Sequence, residues 1–188
     1  MHGWRLEVGL LATAMCVPVA AQAAPSQPTA AEATTVAASG AACNTAEYRQ
    51  FDFWLGEWVV HGGPAGDQLQ GTSRIERSGN GCWLVEHWHS ARGGDGTSLN
   101  AWDSQYKAWR QFWTGADGVV LRLEGGLQDG AMVMTGELPR AQGGVQLQKI
   151  RWIPGADGSV EQRWETSDDA GASWQVAFLG RYTHPGGK

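Results

Sequence analysis

From about residue 48 onward the sequence is chopped into short pieces. Runs of alternating or aromatic residues are separated by Gly and Asp at intervals of about 10 to 15 residues. Ala116-Asp117-Gly118, Asp129-Gly130 and Asp157-Gly158 fall between such runs. Asp-Gly tolerates the positive φ of a type I′ turn, so each predicts a hairpin. Ten strands are expected, near 51–60, 69–77, 82–89, 97–103, 108–115, 118–124, 130–137, 144–152, 159–166 and 173–183. No segment carries a helical stripe longer than about two turns. Only 43–50 suits a short helix, with Asn44 or Thr45 as its cap and Glu47 in its first turn.

Ten short strands joined by tight hairpins describe an all-β, antiparallel up-and-down meander. Closing such a meander into a barrel removes its two raw edges. A two-sheet sandwich is the alternative. A propeller fails on length, because four blades of four strands do not fit. Composition points the same way, with 11 Trp and 27 Gly in 188 residues. Tryptophan favours half-buried pleated surfaces and glycine favours tight turns. The net charge of −5 comes from interspersed residues of both signs. Without a Lys/Arg run, neither nucleic acid nor an anionic membrane is expected as the partner.

The N-terminal region reads differently. Residues 1–23 carry the marks of an export signal: Arg5 near the start, an apolar run from Val8 to Ala20, and the small-residue site Ala21-Gln22-Ala23. The run is too short for a membrane span. Cys16 invites a lipoprotein reading, but bulky Met15 stands where that cleavage wants a small residue. Residues 24–42 are rich in Ala, Thr, Ser and Pro and read as a disordered tether. The domain is expected over 43–188, in the periplasm or secreted. Cys43 and Cys82 then remain, consistent with one disulfide worth about 3–4 kcal/mol or with two free thiols.

The stretch "FWLGEWVV" resembles the first-strand signature of lipocalins and related calycin barrels, a Gly-x-Trp, here Gly56-Glu57-Trp58. The region from "FDFWLGEW" to "FLGRY" is similar to a family of uncharacterised exported bacterial proteins with calycin-like barrels. Ten strands sit nearer the fatty-acid-binding or nitrobindin type than the eight-stranded lipocalins. The resemblance implies that Gly56 and Trp58 plug one barrel end and that a basic residue of the last strand, Arg181, lies over the indole. Nitrobindin-like barrels hold haem through one histidine near the C-terminal end, a place only His184 fills. No other feature supports haem, and no cofactor is expected.

"SDDAGASW", residues 167–174, matches an Asp-box of the kind repeated in sialidase propellers. One copy reads as a turn in which Asp169 bonds loop amides, Gly171 supplies an unusual φ and Trp174 buries beneath. His87 and His89 lie two apart on one strand and so share a face, with Glu86 and Trp88 opposite. The pair can hold a metal only with a third ligand, and none completes the motif. No metal site is expected.

"AWRQFW" puts Trp109, Gln111 and Trp113 on one face, and "QRWETS" puts Gln162, Trp164 and Thr166 together. Trp mixed with Gln and Thr suits a cavity that stacks a ligand and orients it with few hydrogen bonds. The expected ligand-binding residues are Trp88, Trp102, Trp109, Trp113 and Trp164, around a small apolar or aromatic molecule that is bound without catalysis. Two alternatives stay open. One is an isomerase, lyase or hydrolase on the same barrel with Glu86 or His87 as acid/base. The other is an envelope-interaction module with a filled core.

Overall fold

Ten strands follow one another around a closed antiparallel up-and-down barrel in a computed structural model that describes residues 43–186. They are β1 (Gly56–Gly62), β2 (Gln68–Ser78), β3 (Trp83–Ser90), β4 (Asp95–Asp103), β5 (Ala108–Gly115), β6 (Val120–Gln128), β7 (Ala131–Pro139), β8 (Val145–Pro154), β9 (Val160–Ser167) and β10 (Gln175–Thr183). Each strand pairs with its sequence neighbours, and β1 pairs with β10 to close the ring, so the sandwich alternative falls away. The expected signal 1–23 and tether 24–42 lie outside the described residues. Among the described residues no helix is long and apolar enough to cross a membrane.

The turns refine the expected chemistry. At Asp129-Gly130 both residues have positive φ, 49° and 81°, as a type I′ hairpin requires. At 117–118 and 157–158 only the glycine does. There the turn N–H of Gly118 reaches Gly115 O at 2.9 Å, and Gly158 reaches Gly155 O at 3.1 Å. These are three-residue loops built on a type I turn followed by a left-handed glycine. The aspartate acts through its carboxylate instead, accepting the N–H two residues on, from Val119 at 3.0 Å and from Ser159 at 3.1 Å.

The first expected strand, 51–60, is half strand and half plug. Asp52–Trp54 forms a 3₁₀ turn, and β1 begins only at Gly56. In a 3₁₀ turn side chains three apart eclipse, so Phe51 and Trp54 project together, stacked at 4.9 Å and 18°. Both are fully buried in one end of the barrel. Phe51 packs edge-on against Trp109 at 5.7 Å and Trp152 at 5.2 Å, and Trp54 meets Trp152 and Tyr182. The expected helix at 43–50 is likewise a 3₁₀ turn, Ala46–Arg49; Thr45 precedes it, but its side chain bonds Glu47 rather than a backbone N–H.

Polar contacts fasten this plug to the rim. Arg49 donates to the carbonyls of Cys43 (2.8 Å) and Gly81 (2.6 Å), and Asp52 pairs with Arg77. Trp109 Nε1 donates to Gln50 Oε1 at 3.1 Å. Cys43 and Cys82 form a disulfide across a sequence separation of 39. Closing a loop of that length restricts the unfolded chain by about 4 kcal/mol. The double substitution Cys43→Ala/Cys82→Ala should lower the unfolding free energy by up to that amount in urea titrations. An unchanged midpoint would mean that the bond contributes nothing to the fold.

Candidate functional site

Alternate residues of every strand are committed to the barrel interior, and at the unplugged end two tryptophans lie flat along the wall. A Cβ on Gly71 would come within 2.8 Å of the Trp88 ring, and one on Gly96 within 2.2 Å of the Trp113 ring. Each ring therefore rests on bare backbone of the neighbouring strand, Trp88 over β2 and Trp113 over β4. Ring and glycine together form a thin wall. A larger residue at Gly71 or Gly96 would force the indole toward the barrel axis.

The space left is a cavity of about 140 Å³. Aromatic rings dominate its lining: Trp88, Trp113, Trp152, Trp164, Phe178 and Tyr182, with Leu121 and Ile150. Trp88 and Phe178 meet edge-to-face at 6.3 Å and 82°, across the width of β1 and β2. Toward the plug the cavity ends on Trp152, which is buried against Phe51 and Trp54. Trp88, Trp113, Trp164 and Phe178 are only half-buried, so this end reaches solvent. A volume of about 150 Å³ is enough for a benzene-sized guest.

Four polar residues line the same space: Glu86, Gln111, Gln162 and Tyr182. Glu86 is buried on β3, and the Ser73 hydroxyl donates to Oε1 at 3.0 Å and the Ser98 hydroxyl to Oε2 at 2.9 Å. Asn100 Nδ2 donates to Ser98 Oγ at 2.9 Å, and Gln111 Nε2 to Asn100 Oδ1 at 2.7 Å. A belt of hydrogen bonds thus runs from β5 through β4 to the carboxyl on β3, with β2 joining from the other side. On the opposite wall the Tyr182 hydroxyl donates to Gln162 Oε1, and Trp164 Nε1 donates to Gln148 Oε1 at 2.8 Å. The Trp152 Nε1–H is buried with no hydrogen-bond partner among the described residues.

Burial sets the acidity of this site. Desolvation pushes Glu86 up from 4.5 to about 7, against the smaller downward pull of the two serine hydroxyls. Desolvation and the Glu86 charge hold Tyr182 well above the usual phenol range, so it remains a donor.

Of the expected ligand-binding residues, Trp88, Trp113 and Trp164 line the cavity. Trp109 faces inward but lies deeper, against Phe51 of the plug. Trp102, opposite Trp109 in the β4–β5 register, packs on the core at that same end. The residues that the sequence did not single out are Tyr182, Trp152 and Phe178, and the serines and Asn100 that hold Glu86.

Trp58 is buried at the plugged end, and its Nε1 donates to Trp54 O at 3.0 Å. The ring over its indole belongs to His184, stacked at 4.0 Å and 23°, whose Nδ1 lies 3.1 Å from Glu57 O. Arg181 instead pairs with exposed Asp157 at 2.5 Å. Strand parity explains the exchange. Tyr182 is buried in the core, so its neighbour Arg181 takes the outer face, opposite His61, and the next inward position beyond Tyr182 is His184. Gly56 has φ of 128°, which turns the chain from plug into strand.

His87 and His89 point outward, toward Glu76 and Asp95 respectively. No group of three or more metal-type ligands occurs among the described residues. In the Asp-box turn Asp169 accepts from Ser173 N at 2.8 Å and from the hydroxyls of Ser173 (2.6 Å) and Ser167 (2.8 Å), which hold its carboxyl down at about 2. Trp174 lies outside the barrel, with Lys149 Nζ 3.7 Å from its ring centre.

Because burial weakens Glu86 as an acid, the fold is pH-dependent. Below 4.5 both folded and unfolded chains keep the proton. Between 4.5 and about 7 the unfolded chain ionises while the folded one holds on, so stability falls as pH rises. Above about 7 the loss is complete, on the order of 3 kcal/mol. Glu86→Gln should remove this slope in a urea-titration pH series and be the more stable form above pH 7. Parallel pH profiles for parent and variant would refute a buried, raised carboxyl. No protein-family model matches the sequence and no curated protein matches it, which leaves the interior cavity and its buried carboxyl to say what the barrel does.

Proposed function

We propose that the protein is an exported calycin-like barrel that takes up a small apolar or aromatic molecule in its interior without transforming it. The observation that carries this reading is the cavity of about 140 Å³, closed at one end by the plug and ringed at the other by half-buried aromatic side chains. Ligand sites are typically concave and mostly apolar with a few placed polar groups, and this one has that make-up. The disulfide supports export, since such bonds persist mainly in oxidising compartments.

Protein isolated from its host should carry a small guest in native mass spectrometry. The emptied barrel should show shifted tryptophan emission and a raised melting temperature with indole or toluene. Gly96→Ala should weaken that response by driving Trp113 into the cavity. A mass that is always bare, with emission indifferent to these compounds, would end the binding reading.

One observation favours a second reading. Glu86, titrating at about 7 inside an aromatic cavity, suits a general acid or base in proton transfer. His87 faces away from the cavity, which leaves Glu86 as the candidate. That reading requires turnover that Glu86→Gln abolishes while the circular dichroism spectrum is unchanged.

A further inference from the structure

We infer that the cavity takes a small organic cation, a protonated amine or quaternary ammonium with an apolar or aromatic body, and that Glu86 is its counter-charge. This rests on the ligand-binding reading and names the class of ligand.

Two glutamates are buried among the described residues, and they are treated oppositely. Glu165, on the outer wall, is surrounded by cations: Arg151 at 2.9 Å, Arg163 at 3.1 Å and Lys149 at 3.5 Å. Glu86, on the inner wall, has two serine hydroxyls and no cation. A carboxylate removed from water is normally paired, because hydroxyls alone do not replace its hydration. The basic residues of the plugged end do not serve it: Arg49 is engaged by the Cys43 and Gly81 carbonyls and Arg77 by Asp52. No residue lining the cavity is basic.

The hydrogen bonds around Glu86 also have a direction. Gln111 donates to Asn100, Asn100 donates to Ser98, and Ser98, already an acceptor, turns its own proton to Glu86. Ser73 donates from the other side. Every donor in the belt runs toward the carboxyl, which is the arrangement that an ionised acceptor wants. The groups facing it are Ser73 on β2, Ser98 on β4 and, across the barrel, the Tyr182 phenol, the one other titratable side chain on the cavity wall.

What lies around the carboxyl completes the site. The negative faces of indole and phenyl rings attract ammonium groups, and four tryptophans, Phe178 and Tyr182 surround the space. A cation placed there meets a carboxylate on one side and a lining of mainly aromatic side chains on the others. A neutral guest of the same shape meets the same walls but leaves the carboxylate without a partner.

The test uses the full chain with three probes: benzylamine, its neutral isostere benzyl alcohol, and tetramethylammonium. Binding is followed by calorimetry between about pH 6 and about pH 8. Benzylamine should bind more tightly than benzyl alcohol, and its affinity should fall by roughly tenfold per pH unit below about 7. Glu86→Gln should cost benzylamine on the order of a hundredfold and leave benzyl alcohol little changed. The pH series on the parent protein stands even if the variant does not fold. Equal binding of benzylamine and benzyl alcohol, or affinity that rises as pH falls, would overturn the cation while the cavity reading stood. If none of the three binds, both readings fall.

Discussion

The ladder between β1 and β10 closes the sheet, and the interior depends on it. It spans four residue pairs, Val59–Thr183 to Gly62–Gly180, where the other ladders run longer. Its far end is made of two glycines that cannot grow: a Cβ on Gly62 would lie 2.3 Å from Leu179 O, and one on Gly180 2.9 Å from Val60 Cγ1. Were the two strands held apart by side chains there, the sheet would have two edges and no inside. The plug enters through the same strand, since Phe51 and Trp54 immediately precede β1. Closure and capping are thus consecutive events along one stretch of chain.

Inside, the barrel changes character along its length. Near the plug, Phe51, Trp54, Trp109, Trp152 and Met132 pack without leaving room. A ten-stranded barrel encloses more than its own aliphatic side chains fill, and a plug of large rings is one way to occupy it. Farther on, polar belts replace the packing, from Gln111 to Ser73 on one wall and through Gln148 and Trp164 on the other. Gln148 also donates to Gln146, which bonds Asp168 at the rim, so the second belt leads outward from the interior. These belts satisfy buried polar groups and keep apolar side chains from filling the last part of the interior.

Much of this architecture was written in local chemistry. Turn residues marked where each strand ended, and period-two alternation put Trp109, Gln111 and Trp113 on one face. Alternation does not carry depth, however. Trp109 and Trp113 share a face, yet the first packs on the plug and the second borders the cavity, because only the plug distinguishes their ends. Nor does alternation say which face is inside when both are mixed. Ser73, Ser98 and Asn100 are small polar residues with no signal of their own in the sequence, and closure turns them inward. Phe51-Asp52-Phe53-Trp54 alternates like a strand but folds as a 3₁₀ turn, since its aromatic rings find a barrel end to enter. Arg181 and His184 are three residues apart and therefore on opposite sides of the wall, a distinction that a family motif alone does not draw.

The tryptophans that lean on Gly71 and Gly96 have a thermodynamic consequence. Their indoles are held against backbone, so they would have few alternative rotamers to lose on binding the proposed guest. The cavity is small and lined mostly by aromatic and aliphatic side chains. Uptake of the proposed guest into such a preformed space would carry a negative heat-capacity change and a favourable enthalpy near room temperature. Selectivity for the proposed guest would then come from rigidity. A guest one ring too large meets two walls of glycine and indole that cannot yield without displacing a strand.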